Sequence, residues 1–420
     1  MDSEGSAPEG AVRASGRPHR VCIVRQRDVY EPQIRRVAQA LVCAGYEVDV
    51  ILMRHSDRPR VALVDGVQVI SLPGSLGRSN KLRYMFDYAS FTVLAALMLA
   101  YRHARRPYSV VQLYTMPDFL VFAALVPKLF GGRVIAYMNE PTPELFETLY
   151  GATPKFRRML ERIEQAVLRF ADHAITVTDQ LRERYVERGA DVKRISVVLN
   201  APDPSSDRAG WTPPERANIG EFVVMTHGSI EDRYGQDTII EAAALLRKEL
   251  PDLRVVFTGR GSNEDAVLQL IRDRGLEDVV RFEGFVSRER LNDLLHTADA
   301  GIVAQKASAY SHLVHTYKMV DYWIFGRPVI ASRLDATAAT YSDEVIEYFE
   351  PGDAPDLARS IRRLHDDPAR REELARNGLL AQEQNGWGVQ QKAFLGVYDA
   401  LLNGREAVDG RLSGRPSRAS

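Results

Sequence analysis

The chain has 420 residues, 45% hydrophobic and 26% charged, enough for two or three domains that each bury a core. Its 55 basic and 56 acidic side chains leave a net charge of −1, which gives no electrostatic case for a nucleic-acid partner. Two cysteines, Cys22 and Cys43, exclude a disulfide-rich scaffold and fit a reducing, cytoplasmic setting.

Residues 1–18 are rich in Ser, Gly, Pro and charge, lack the apolar stretch of a signal peptide, and are expected to be unstructured. Beyond them, short β-rich apolar runs alternate with longer helical patterns, the signature of βαβ units and a parallel sheet. Residues 21–24 read as a strand, 33–44 as a helix stopped by Gly45, and 47–52 as the next strand. Further strands are expected at 67–70, 110–113, 134–138, 174–177 and 196–198, with a long helix over 81–105. The longest apolar run, 89–101, is too short to cross a bilayer core of roughly 30 Å.

Residues 200–219 break the rhythm: Pro202, Pro204, Pro213 and Pro214 among Ser, Asp and Gly read as a linker. The alternation then restarts, with strands at 222–226, 254–258, 280–282, 301–304 and 328–331. Helices are expected at 236–249, 264–274, 288–297, 316–325, 355–365, 369–384 and 389–402, and 405–420 reads as unstructured. The fold class is therefore α/β: one doubly wound domain over 19–199 and a second over 220–385, facing each other across a cleft. Ligands of such sheets bind beyond the carboxyl ends of the strands.

The densest polar cluster runs from Tyr310 to Val329. Thr316 is placed to cap a helix whose free N–H groups would favour a diphosphate. Lys318 and Asp321 share one helical face, a cation for phosphate and a carboxylate for ribose hydroxyls, although a solvated ion pair has the same spacing. In the loop from Thr226 to Gly235, Gly228 and Gly235 permit close backbone approach and Arg233 could reach a leaving phosphate; a plain turn gives the same pattern. Gly259-Arg260-Gly261 reads as a turn.

In the first half, Asn139 and Glu140 follow a strand, where acceptor binding is expected, while Pro141 and Pro143 shape the loop. Asp118 is either an acceptor contact or a plain helix-terminal charge. Arg25, Arg35 and Arg36 flank the first βα turn, where an anionic acceptor or only solvent would meet them. His312 and His315 alone make no metal site, and no Asp-x-Asp follows a strand, so no catalytic divalent cation is indicated. Gly-x-Ser-x-Gly and Gly-x(4)-Gly-Lys are also missing, against α/β-hydrolase and P-loop chemistry.

Residues 33–49, 171–178 and 197–200, then 227–235, 282–286, 318–332 and 349–353, resemble in that order the family-four retaining glycosyltransferases of the GT-B fold. The likeness spans about residues 20–402. It implies that Asp321 stands at the second Glu of the family's Glu-x(7)-Glu motif, which holds the nucleotide ribose, and that Lys318 matches a lysine of one branch. It implies that Arg233 contacts the donor diphosphate, that Asn139 replaces a His near the transferred sugar, and that Glu140 is the acidic residue beside it. Gly228, Ser229, His315, Thr316, Gly284 and Phe285 complete the expected donor set, and Arg25, Arg35 and Asp118 join Asn139 and Glu140 as the expected acceptor side. The helix after Gly386 looks like the one that crosses back onto the first domain.

Departures accompany the likeness. Leu313 replaces the first Glu of the motif, Ser229 stands where many members carry Arg, and residues 25–30 replace a glycine-rich loop. The implied activity is metal-independent, retaining, front-face transfer from a UDP- or GDP-sugar to a hydroxyl acceptor, without a cofactor. A sugar-nucleotide epimerase and an inactive, donor-binding partner subunit are the alternatives. Membrane docking through Lys81, Arg83 and the basic cluster at 102–106 is not expected, because the chain is neutral overall and shows no sustained basic amphipathic face.

Overall fold

The computed structural model describes residues 18–27, 32–54, 59–74, 81–201, 211–213 and 220–404, with 81–85 described by backbone alone. The tails expected at 1–18 and 405–420 lie, Pro18 apart, outside the described residues, as do 202–210 and 214–219 of the linker.

Eight strands make the first sheet: β1 (Arg20–Arg25), β2 (Glu47–Met53), β3 (Val61–Val64), β4 (Val67–Leu72), β5 (Val110–Tyr114), β6 (Arg133–Met138), β7 (His173–Thr176) and β8 (Ile195–Val197). Their order is β3-β4-β2-β1-β5-β6-β7-β8, and the antiparallel pairing is that of the edge strand β3 with β4. Val21, Cys22, Ile23 and Val24 have no exposed surface, as a parallel strand covered on both faces requires. Over one face lies α1 (Pro32–Cys43), which buries Ile34, Val37, Ala38 and Leu41 at helical spacing. It ends at Gly45, whose φ of 86° suits glycine. On the other face α2 (Lys81–Arg105) packs on β4, a 3-10 helix over Asp118–Ala124, and α3 (Leu125–Leu129). After β6 comes α4 (Thr142–Tyr150).

The second sheet has six parallel strands: β9 (Phe222–His227), β10 (Leu253–Thr258), β11 (Val280–Phe282), β12 (Ala300–Val303), β13 (Val329–Ser332) and β14 (Glu347–Phe349). Their order is β11-β10-β9-β12-β13-β14, with one apolar cluster on each face. Strand order therefore reverses between β1 and β5 in the first sheet and between β9 and β12 in the second. Such switch points open crevices at the carboxyl ends of the strands.

Two segments tie the halves together. The helix Trp387–Asn403 packs Phe394, Val397 and Tyr398 into the first core, and the Tyr398 hydroxyl donates to Gln112 Oε1 at 2.8 Å. Leu313 and Val314, beyond β12, also pack into that first core.

The architecture is the α/β class expected, with two strands the pattern did not announce. The β3 strand, Val61-Ala62-Leu63-Val64, is a four-residue apolar run half exposed on a sheet edge, and with the Asp65-Gly66 turn after it that run is a hairpin signal that would have found it. Only three residues make β14, one of them Glu347, too few for periodicity to register.

Candidate active site

At the second sheet's switch point the chain leaves β9 through Gly228, with φ of 104°. A Cβ there would lie 2.8 Å from Lys318 Cε and 3.0 Å from its Nζ, so the lysine lies across bare backbone. From beneath, a Cβ on Gly259 would come within 1.7 Å of the Gly228 carbonyl oxygen, and one on Gly261 within 1.9 Å of that of Ile230. Gly259-Arg260-Gly261 is thus more than the plain turn expected. It is the bed on which the 228–230 loop lies, and only glycine allows that approach. Gly235 closes the loop: its φ is 64°, and a Cβ would stand 2.0 Å from the Ala304 oxygen.

Lys318 opens the helix Lys318–Ile324, which is anchored to the sheet by Tyr322, whose hydroxyl donates to the Met225 carbonyl at 3.0 Å. Thr316 was expected to cap this helix. Tyr317 holds the cap position instead, and Thr316 Oγ1 accepts from the Lys318 N–H at 3.3 Å, because the helix begins at Lys318, two residues into the 316–325 expected. Lys318 and Asp321 do share the inward face. Lys318 Nζ stands 3.8 Å from the centre of the Tyr234 ring, and Asp321 Oδ2 lies 3.4 Å from His227 Nε2. Burial pushes the Lys318 ammonium down to about 8, with Arg233 adding to the effect and Asp321 opposing it. Burial, with Lys318 and Arg288 nearby, pushes His227 down to about 3, so its imidazole is neutral at physiological pH.

Arg233 sits in the short turn Asp232–Tyr234, its guanidinium 5.0 Å from the Tyr234 ring and 6.0 Å from that of Tyr310. Its Nε is buried without a hydrogen-bond partner. Tyr310 bridges the two halves, donating its hydroxyl to Glu140 Oε2 at 2.6 Å. Burial pushes the Glu140 carboxyl above its ordinary range, against the pull of Tyr310, Arg233, Arg25 and Arg27. Beside it, Asn139 Nδ2 donates to Gln33 Oε1 at 3.3 Å, and the same oxygen accepts from Arg25 at 2.9 Å. Asn139 Oδ1 and Gln33 Nε2 are buried with no partner.

Gly228, Arg233, Lys318, Asp321, Glu140, Asn139 and Arg25 are therefore brought to one cleft, beyond the carboxyl ends of β1, β6 and β9. Ser229 lies exposed at the rim, its carbonyl accepting from Gln236 at 3.2 Å. The Gly284 carbonyl accepts from Gly259 N–H at 2.7 Å, so Gly284 braces the loop through its backbone, and Phe285 stands exposed with Arg260 5.1 Å from its ring.

Three expected residues are elsewhere. Arg35 pairs with Asp65 at 2.7 Å on the exposed side of α1, because the buried stripe of that helix takes Ile34, Val37 and Ala38 and turns Arg35 outward. Asp118 is neither an open helix terminus nor an open acceptor contact. It is buried under α4, accepting from Thr142 at 2.9 Å, and burial raises its carboxyl to about 6. His315 faces the hinge, in a small hollow with Leu199, Asn200, Tyr341 and Asn385, and burial lowers it to about 4. The Leu313 departure removes no polar group from the cleft, since its side chain is buried in the first core.

His227, Tyr234, Tyr310 and Gln33 were not singled out from sequence. Their positions next to quoted motifs were the available signal, but none carries a spacing that marks it. Among the described residues no group of three His, Cys, Asp or Glu could hold a metal ion. Chemically, the arrangement offers two cations over a glycine loop, a carboxylate beside a neutral imidazole, and, across the cleft, a carboxyl with hydrogen-bonding amides.

Residues 208–380 match the family model described as glycosyl transferases group 1, and residues 30–201 match that of the glycosyl transferase 4-like domain. A D-inositol 3-phosphate glycosyltransferase of Kineococcus radiotolerans is 29% identical over 275 residues, 59% of this chain and 61% of that protein. The chain thus spans about three fifths of the length of the first curated relatives it matches. Among solved structures, the sucrose-phosphate synthase of Thermosynechococcus elongatus superposes with a TM-score of 0.75 at 18% identity, covering 92% of this chain and 100% of that one. The Anabaena protein HepE, solved in complex with UDP-glucose, does so at 0.68 and 14% identity, over 91% of this chain and 99% of its own.

Proposed function

The chain belongs to the family-four glycosyltransferases of the GT-B fold, and from that premise we propose that it transfers a sugar from a nucleotide diphosphate donor to a hydroxyl acceptor, retaining the anomeric configuration. The observation that carries this reading is Lys318, laid across Gly228 with its ammonium on the Tyr234 ring and Arg233 nearby. Two cations converge at a strand-order reversal, where a diphosphate is the natural ligand. The sugar nucleotide held by HepE supports a UDP-sugar in this role.

In this reading residues 220–385 hold the donor, and residues 19–199 hold the acceptor near Asn139, Glu140 and Arg25. Asp321, beside His227, accepts from the ribose hydroxyls. As the acceptor oxygen bonds to the anomeric carbon, the bond to the diphosphate breaks and negative charge grows on the leaving phosphate. Lys318 and Arg233 stabilise that charge, so transfer proceeds with divalent metal chelated, and the leaving phosphate takes the acceptor proton on the same face. Asn139 has no basic nitrogen and acts by position.

A panel of UDP- and GDP-sugars tests this by thermal shift and nucleotide release under chelation. One donor should stabilise the chain and release nucleotide slowly without acceptor. Conversion of a sugar nucleotide to its epimer would replace transfer by isomerisation, and binding without turnover would make the chain a donor-binding subunit. Stabilisation by no donor contradicts the site.

A further inference from the structure

From Phe86 to Tyr101 the solvent face of α2 is apolar. Phe86, Val93, Leu97 and Tyr101 follow one another at intervals of a helical face, and each is more than half exposed. Between Asp87 and Arg102 the helix has no charged side chain. At about 1.5 Å per residue it runs for roughly 37 Å. Against it packs α3, which with the residue after it adds Leu129 and Phe130, both largely exposed. An apolar surface of this extent needs a partner.

Charge sits at the ends of the stripe. The first turn of α2 contains Lys81 and Arg83 in sequence, and the last contains Arg102 and Arg105. Beside that last turn opens a hollow of about 510 Å³, lined by Arg20, Tyr101, Arg102, Arg105 and Arg106 among others. Its four arginines face two carboxylates, Glu47 and Asp49. Arg20 and Arg102 share Asp49, and Arg106 pairs with Glu47. Arg105 lies over the Tyr101 ring, 4.4 Å from its centre, so the hollow keeps an excess of positive charge where the apolar stripe ends. It lies at the amino ends of β1 and β2, away from the cleft.

We propose that this face docks the protein on an anionic lipid bilayer, with α2 and Phe130 in the interface and the Arg102–Arg105–Arg106 hollow taking lipid phosphate. A second copy of the same face is a poor occupant, because pairing two α2 stripes in either direction sets one cationic end against another. A bilayer with acidic headgroups complements both ends. No helix among the described residues is long and apolar enough to cross a membrane, so the contact is one of lying on the surface. This inference does not depend on the transferase reading.

The test is co-sedimentation of the full chain with vesicles of phosphatidylcholine alone and with about 30 mol% phosphatidylglycerol. Pelleting is expected with the anionic vesicles, weakened several-fold by high salt and by the Arg105→Ala/Arg106→Ala pair. The Leu97→Glu/Phe130→Glu pair should weaken it about tenfold or more while leaving the thermal unfolding transition in place, since both side chains are exposed. No pelleting with either vesicle, or equal pelleting by the folded Leu97/Phe130 variant, overturns the proposal. So does a Leu97-dependent dimer in sedimentation velocity without vesicle binding.

Discussion

On the Gly228 side of the cleft, backbone meets backbone: Gly259 and Gly261 bring their turn against the carbonyls of Gly228 and Ile230 with no space for a methyl group. On the Asn139 side, contact is side chain to side chain, through Gln33, Arg25, Asn139, Glu140 and Tyr310, and two buried polar atoms have no partner. Glycine loops of the first kind are rigid before any ligand arrives, because their geometry is over-determined by close approach. Side-chain networks of the second kind have unused hydrogen-bonding capacity that a ligand hydroxyl can satisfy. In the proposed reading, the donor half is thus preformed and the acceptor half is adaptable.

Substitutions separate the two halves. The largest effect is expected from Gly259→Ala, whose methyl would sit 1.7 Å from a carbonyl oxygen at a φ of 143°. It should cost about 3 kcal/mol or more in thermal unfolding and abolish UDP-sugar binding. Lys318→Ala should lower kcat/KM by about 10² to 10³ with little change in stability, the size of loss seen when one stabiliser of developing charge is removed.

Tyr310→Phe tests the adaptable side. It deletes the hydroxyl bonded to Glu140, and a loss of about tenfold in kcat/KM is expected. That bond holds the carboxyl down, so its removal should raise the Glu140 pKa and move any acidic limb of the pH–rate profile upward. A limb that stays in place detaches Glu140 from turnover. The smallest effect belongs to Arg35→Ala, an exposed ion pair whose loss should change kcat/KM less than about twofold.

Much of the fold could be read from residue order. The bounds of α2 and of the helix Arg288–Thr297 agree with their apolar spacing, and most strands begin within a residue or two of their β-rich runs. The rigid half of the site was partly legible too, since glycine is the one residue whose identity reports backbone geometry. Gly228 and Gly235 stood out for that reason, while Gly259 and Gly261 needed their partner strand in place before their role could be seen. The side-chain half was harder. Arg35 and Arg25 look alike in sequence, but the buried stripe of α1 sends Arg35 outward, while Arg25, at the end of β1, lies beside Gln33. Asp118 and His315 carry the right chemistry in the right segments but are buried under α4 and against the hinge. The apolar face of α2 was hidden because exposure, and not hydrophobicity, makes it unusual.

The central claim is that Lys318 meets the donor diphosphate, and its lowered pKa of about 8 gives a direct test. Below that pH the free ammonium is charged and favours the anion; above it the proton must be regained on binding, so affinity falls. The measurement is UDP-sugar affinity by calorimetry from pH 6.5 to 9, for the native chain, Lys318→Ala and Lys318→Arg, with metal chelated. The account predicts weakening through about pH 8 in the native chain, weak and flat binding in the alanine variant, and binding restored without the pH dependence in the arginine variant. Tight, pH-independent binding by both the native chain and Lys318→Ala would contradict it.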